Sequence, residues 1–334
     1  MKIAVVILNW NGQKLLEQFL PSIVAFSKEA TVYVADNAST DGSVLYVKTN
    51  FPDVQIIQNQ HNYGYAKGYN EALQNVDADV FCLLNSDIEV TKNWLAPILS
   101  IFENEPTTAI VQPKILDYKN KEYFEYAGAA GGFIDKYGYP FCRGRIFETL
   151  EKDSQQYDDE TTIFWASGAC FFIRKSVFEE LKGFDEDFFA HQEEIDLCWR
   201  AFNKNFAVKY TSKSVVYHVG GATLDKSNPQ KTFLNFRNSL LMLLKNLPKN
   251  KLIPILFARM VLDGLAGFQF LIKGKITHFF AILKAHFWFY HLISKTLKKR
   301  ELLQKQDYFY QKSIVYQYFI KKGIVFEKRF NNSL

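Results

Sequence analysis

The chain has 334 residues, 48% of them hydrophobic and 16% aromatic, with a formal net charge of +5. This composition excludes disorder and supports a sizeable core, and the length calls for one large domain with an appended segment, or for two domains. Cys82, Cys142, Cys170 and Cys198 are far apart and form no C-x-x-C pair, which disfavours a zinc site or disulfide framework and fits structural thiols in a reducing compartment.

Ile3 to Leu8 is an apolar run too short for a signal-peptide core, and it reads as a buried first strand. It ends in Asn9-Trp10-Asn11-Gly12, and a helical pattern follows from Gln13 to Phe26. No G-x-G-x-x-G follows that strand, which disfavours a dinucleotide-dependent oxidoreductase. Thr31 to Ala35 is a second strand, and it ends in the acceptor-dense loop Asp36-Asn37-Ala38-Ser39-Thr40-Asp41-Gly42-Ser43. Asp36 could accept from a base N–H or a ribose hydroxyl, while Ser43 would cap the next helix; a purely structural Asx loop would use the same residues.

Val54 to Gln58 reads as a third strand, followed by Asn62-Tyr63-Gly64-Tyr65-Ala66-Lys67-Gly68-Tyr69-Asn70. Its small residues would let a helix start lie close to a ligand, with Asn62 and Asn70 as polar anchors and Lys67 as a phosphate or ribose contact; tight helix packing is the alternative. A fourth strand, Val80 to Leu84, delivers Asn85-Ser86-Asp87-Ile88-Glu89. Asp87 at a strand end offers a hard oxygen ligand suited to Mg²⁺ or Mn²⁺ carrying a diphosphate.

These four motifs, in this order and spacing, resemble family 2 glycosyltransferases of the bacterial rhamnosyltransferase-like branch, over about residues 1–245. The resemblance implies an α/β fold of GT-A type: a nucleotide-sugar-binding, Rossmann-like mixed sheet with flanking helices, here followed by a C-terminal helical segment. It places Asn9, Asn11, Asp36, Asn62, Gly64, Lys67, Asn70 and Asn85 around a nucleoside-diphosphate sugar donor. Asp87 falls at the metal-binding position of a D-x-D-like motif that has Asn85 in its first place.

Val111 to Asp159, rich in Tyr, Phe and Gly, resembles an insertion over the site. Phe164 to Ala169 then leads into the strand Cys170 to Ile173, with Trp165 and Gly168 read as acceptor-side residues. Ser176 with Glu179 forms a capping-box pattern, and Gly183 would end that helix. Glu193, Glu194 and Asp196 open the next helix, where three acids could simply complement the dipole. In the resembling family an acidic pair here supplies the general base, so Glu194 or Glu193 is the expected catalytic residue, with Asp196 on the acceptor side. His218, at the end of the strand running through Val215 and beside Gly220 and Gly221, would complete the metal shell or remain structural. Thr232 to Asn246 reads as a helix with Arg237 facing phosphate. The absence of Q-x-x-R-W argues against a processive synthase.

From Lys245 to Arg300 there are eleven basic residues and one acid, Asp263. Nucleic acid is an unsuitable partner because the basic residues are interleaved with long apolar runs. Leu252 to Ile272 and Ile276 to Ile293 are near spanning length, but Arg259, Asp263 and Lys284 make spanning costly. Residues 246–334 are therefore expected to be a helical tail that lies on an anionic membrane surface or packs on the protein, and a chain ending near Asn246 is expected to be soluble. The combined expectation is an inverting, metal-dependent transferase acting on a glycan or lipid-linked acceptor, at the cytoplasmic face of a bacterial inner membrane or in the cytoplasm. A non-catalytic nucleotide-sugar- or glycan-binding protein of the same fold is the alternative.

Overall fold

The computed structural model describes residues 1–220 and 228–326; Gly221 and the last part of the tail lie outside them. Its first half alternates β1 (Ile3–Asn9), α1 (Gln13–Phe26), β2 (Ala30–Asp36), α2 (Ser43–Asn50), β3 (Gln55–Gln58), α3 (Gly64–Leu73) and β4 (Val80–Asn85). These strands read as unbroken apolar runs because helices cover both faces of a parallel sheet. Helix α1 buries Leu16, Phe19, Leu20 and Ile23, a spacing that lays one apolar stripe on that sheet.

The chain then continues through β5 (Ile88–Val90), α4 (Leu95–Asn104), β6 (Thr108–Asp117), β7 (Gly132–Ile134), β8 (Pro140–Cys142), β9 (Arg145–Ile146), β10 (Thr149–Leu150), β11 (Glu160–Ile163) and β12 (Cys170–Arg174). Next come α5 (Lys175–Glu180), α6 (Glu193–Asn203), β13 (Ala207–His218), α7 (Pro229–Asn246), α8 (Lys249–Ile272), α9 (Ile276–Lys298) and α10 (Ile314–Phe319). One mixed sheet has the order β11-β13-β6-β12-β4-β1-β2-β3, with β5 added to β13. Strands β1 to β4 pair in parallel, whereas β12 runs antiparallel between β4 and β6. The insertion forms a separate four-stranded sheet, β10-β9-β8-β7. All four cysteines are buried and free.

Two local expectations fail. Helix α5 starts at Lys175, before Ser176, and has no side-chain cap, so Ser176 and Glu179 form no capping box. The cap before α2 comes from Asp41, whose Oδ1 accepts from Ser43 N at 3.0 Å, rather than from Ser43. Nor does the tail stand apart from the catalytic part. After α9 the chain returns to the insertion, where Tyr310 and Phe326 pack on Phe133 and Arg300 donates to the carbonyls of Leu244 and Lys245 at the end of α7. A chain cut at Asn246 would uncover these surfaces.

Candidate active site

The carboxyl ends of β1, β2 and β4 converge where the strand order turns, β2 and β3 lying on one side of β1 and β4 on the other. Open α/β sheets bind ligands in that crevice. Asn9 pairs with Asp36, and Leu8 with Asn85, which fixes the three ends in register. Asn9 Nδ2 donates to Asp36 Oδ1 at 3.1 Å and to Ser39 Oγ at 3.2 Å, and Ser39 N donates to Asp36 Oδ2 at 2.9 Å. Thr40 N donates to Asn11 Oδ1 at 2.7 Å, tying the Asp36 loop to the end of β1. Asp36 is buried, and each carboxylate oxygen keeps a lone pair beyond these bonds.

Asn37 Nδ2 donates to Gly64 O, while Asn62 Oδ1 accepts from Gly64 N at 3.0 Å. Gly64 has φ +72°, and a Cβ there would stand 2.6 Å from Phe189 O, so glycine is required by both conformation and space. Lys67 Nζ is 4.0 Å from Glu71 and 3.9 Å from Glu186, a loosely held and partly exposed cation beside the crevice.

Past β4, Asp87 is buried, and β5 pairs with the end of β13 so that His218 lies opposite Ile88. His218 Nε2 is 3.1 Å from Asp87 Oδ1, and Nδ1 is 3.2 Å from Glu125 Oε1. Burial opposes charge on His218, but Glu125 and Asp87 outweigh it and push the imidazole up to about 10. Burial likewise raises Asp87, and His218 more than offsets this, leaving the carboxyl below its usual range. The 3.1 Å separation is that of a charge-assisted hydrogen bond, and a carboxylate beside an imidazole is a donor set that fits a divalent cation, which would take the place of the proton on Nε2. Glu125 stands on the far side of the ring, where a carboxylate orients a ligating histidine. Among the described residues no cluster of three such ligands forms.

The opposite wall is the turn before α6. Ala190 N donates to Phe188 O at 2.7 Å around Phe189, whose φ +64° and ψ −60° make a strained γ-turn. His191 and Gln192 follow at φ +71° and +74°. Asn238 on α7 holds this segment, its Nδ2 donating to the carbonyls of Phe188, Ala190 and His191 at 2.9, 2.9 and 2.7 Å. Glu193 is buried and Glu194 half-buried, and each keeps a buried Oε2 without a hydrogen-bond partner in the protein. Burial pushes Glu194 up to about 7; burial and the Glu194 charge push Glu193 well above the carboxylate range.

The Gly168 segment joins the two walls. Glu194 Cδ lies 3.7 Å from where a Cβ on Gly168 would sit, Tyr65 Oη donates to Gly168 O at 2.7 Å, and Asn85 N donates to Ala169 O at 2.9 Å. The acidic pair and the end of β4 therefore border the same short loop.

The profile described as glycosyl transferase family 2 matches residues 4–182, more than half of the chain. The chain belongs to that family. It is thus a glycosyltransferase of GT-A-type fold, as the sequence motifs lead one to expect. It is 25% identical over 229 residues to the N-acetylglucosaminyl-diphospho-decaprenol L-rhamnosyltransferase of Mycobacterium tuberculosis, covering 64% of this chain and 75% of that protein. It is also 25% identical to the low-salt glycan biosynthesis hexosyltransferase Agl10 of Haloferax volcanii, covering 72% and 74%. Among solved structures, S. aureus TarS 1-349 in complex with UDP-GlcNAc superposes with a TM-score of 0.58 at 17% identity over 90% of this chain and 84% of that one. GalNAc-T7 with UDP, GalNAc and Mn²⁺ gives 0.60 at 17% identity, covering 75% of this chain but only 49% of that one. The family match ends after α5, before the acidic pair.

Four residues expected at the glycosyltransferase site are committed elsewhere. Asn70, expected to anchor the donor, donates to Phe184 O and accepts from Phe184 N, both at 2.9 Å, and so clamps a loop. Trp165, expected beside the acceptor, is buried: Gly132 lies against its indole, and Nε1 donates to Phe133 O at 2.9 Å. Asp196 is fully buried among Arg200 Nε, Lys245 Nζ and Asn246 Nδ2, each at 2.8 Å, which leaves nothing for an acceptor. Arg237 donates to the carbonyls of Asp187 and Phe188 rather than facing phosphate. Glu125 and Asn238 escaped sequence reading. An isolated acid in an aromatic, glycine-rich stretch was the one available signal for Glu125.

Proposed function

We propose that this glycosyltransferase moves a hexosyl or deoxyhexosyl group from a nucleoside-diphosphate sugar to a hydroxyl of a glycan or lipid-linked acceptor, with inversion at the anomeric carbon. The observation that carries the reading is Glu194: half-buried, unpartnered at Oε2, pushed up to about 7, and beside the loop that adjoins the end of β4. A general base is most effective with a pKa near the working pH. Glu194 would take the proton of the acceptor hydroxyl as its oxygen bonds to the anomeric carbon and the bond from that carbon to the diphosphate breaks on the opposite face. One base and one displacement give inversion. Asp87 and His218 would hold the Mg²⁺ or Mn²⁺, which supplies positive charge to the departing diphosphate. The Asp36 loop would seat the nucleoside, and Lys67 would lie near its phosphates. The Mycobacterium relative's name includes a diphospho-decaprenol, which supports a lipid-linked acceptor.

The test is release of nucleoside diphosphate from a panel of UDP-, dTDP- and GDP-sugars with Mn²⁺, with the product anomer read by NMR. EDTA and Asp87→Asn should each remove most turnover while the fold persists. Full activity in both would overturn the metal role, and a product of unchanged anomeric configuration would overturn inversion.

A further inference from the structure

Helices α8 and α9 form a hairpin turned by Lys273-Gly274-Lys275. Its inner face is committed. Ala281 and Ala285 pack on Phe233 and Leu234 of α7, and His278 bonds Thr232 at 2.7 Å. Arg259 donates to Tyr137 O and Ser239 Oγ and stacks on Tyr139, while Asp263 is buried beside His286.

The outer face has no cover. On α8, Ile253, Phe257, Val261, Leu265, Phe268 and Ile272 follow one another every three or four residues, all exposed, with Ile253 and Ile272 at 72% and Phe257 at 70%. On α9, Phe280, Leu283, Phe287 and Tyr290 continue the stripe. Fourteen of the 25 exposed large apolar side chains among the described residues fall between Ile253 and Leu297. A soluble monomer rarely exposes a contiguous apolar patch above a few hundred Å². The charges on this face have one sign. Lys273 and Lys275 at the turn are exposed, Lys284 is exposed at the flank with its ammonium over the Phe233 ring of α7, and the single acid of the hairpin, Asp263, is on the inner side.

We propose that this outer face docks in the plane of an anionic phospholipid surface, with the apolar stripe at the acyl boundary and Lys273 and Lys275 among the headgroups. Helix α8 is long and apolar enough to cross a membrane. Crossing would strip Arg259 of Tyr137 and Ser239 on the catalytic part and carry Arg259 and Asp263 into hydrocarbon, whereas an in-plane hairpin keeps those bonds. The basic flank supplies attraction to anionic lipid beyond the apolar insertion. Because α9 packs on α7, and α7 holds the turn before Glu193, the acceptor end of the cleft lies one helix away from the lipid.

The test is flotation of the full chain on vesicles of phosphatidylcholine alone and of phosphatidylcholine with phosphatidylglycerol. Strong flotation is expected on the second and weak flotation on the first. Phe257→Glu with Phe287→Glu, and Lys273→Glu with Lys275→Glu, should each lower partition tenfold or more while the melting temperature stays put, since all four side chains are exposed. The lysine pair should also remove the sensitivity to salt. Absence from anionic vesicles would overturn the proposal. A dimer in solution that the two Phe→Glu changes dissolve, without vesicle binding, would assign the face to a second copy instead. Resistance of the membrane-bound chain to alkaline carbonate extraction would overturn the in-plane placement.

Discussion

At the end of the cleft proposed to take the donor, Asn9, Asp36, Ser39, Asn11 and Asn37 bond to one another and to neighbouring backbone, so the loop after β2 is tied at many points. At the acceptor end, His191 Nε2, Gln192 Oε1, Glu193 Oε2 and Glu194 Oε2 are four consecutive buried atoms without partners, on a segment with three non-glycine residues at positive φ. A buried unsatisfied polar atom costs about 1–3 kcal/mol, and a strained backbone position costs a similar amount. The difference teaches where the fold carries its cost. The loop after β2 spreads its cost, with Asn11 and Ala38 at positive φ and Asn9 Oδ1 unpartnered among many satisfied bonds, whereas the turn before α6 concentrates its unpartnered atoms on consecutive residues and is held by Asn238 and Arg237 from α7. Unmet hydrogen-bonding capacity there is what an incoming hydroxyl can use.

The largest effect that would break this comparison is Glu194→Gln. Turnover should fall about 10²–10⁴-fold, the range for a lost general base, with donor binding by calorimetry nearly unchanged; Glu193→Gln should cost far less. An inverted outcome would move the base to Glu193. If both variants turn over normally, the acids merely begin a helix.

The pH dependence sharpens the contrast next. With Glu194 pushed up to about 7, turnover at saturating substrate should fall about tenfold per pH unit below that value. Stability should move the other way. The folded values of Glu193 and Glu194 are raised above their unfolded ones and favour the neutral forms, so the contribution is complete below the unfolded carboxylate range near pH 4; Glu194's share is lost as pH rises through about 7, and Glu193's is lost in the same direction. A melting series should therefore show Glu194→Gln gaining on the parent protein as pH rises from about 4 to about 7 and matching it below pH 4, with Glu193→Gln gaining in the same direction. A constant difference across the range would contradict the buried-acid assignment.

The smallest expected effect is that of Asn238→Ala, which frees three carbonyls at once. We expect a loss of about 1–3 kcal/mol in chemical unfolding and a fall in kcat with the KM for donor unchanged. If the KM for donor rises instead, the two ends are not as separate as their hydrogen bonds indicate.

Much of the donor half was legible because its strands are covered on both faces. Apolar runs such as Ile3–Leu8 and Val80–Leu84 end where polar residues begin, and those boundaries fall at the sheet edge that holds Asp36 and Asp87. The acidic start of α6 was legible for the same local reason. What stayed hidden depends on partners remote in sequence. Asp196 looks like Glu194 until Asn246 and Lys245 come back to it. Trp165 looks available until Gly132 is seen to leave room for its ring. Glu125 acquires meaning only when His218 reaches it from β13. Asn70 and Arg237 have the chemistry of ligand contacts, and nothing local reveals that backbone groups more than a hundred and about fifty residues away have taken them.

The return of the chain onto the insertion after α9 sets an order of events during synthesis. Ile314 N donates to Asp135 Oδ2 at 2.9 Å, a contact across 179 residues, and Phe326 covers Phe133 and Phe141. At about 5–20 residues per second of translation, Phe133 and Phe141 wait roughly 10–40 seconds for the segment that shields them. The α8–α9 hairpin leaves the ribosome within that interval. Its apolar face therefore becomes available while the small sheet is still open, and the two exposed surfaces must be kept apart until the last residues arrive.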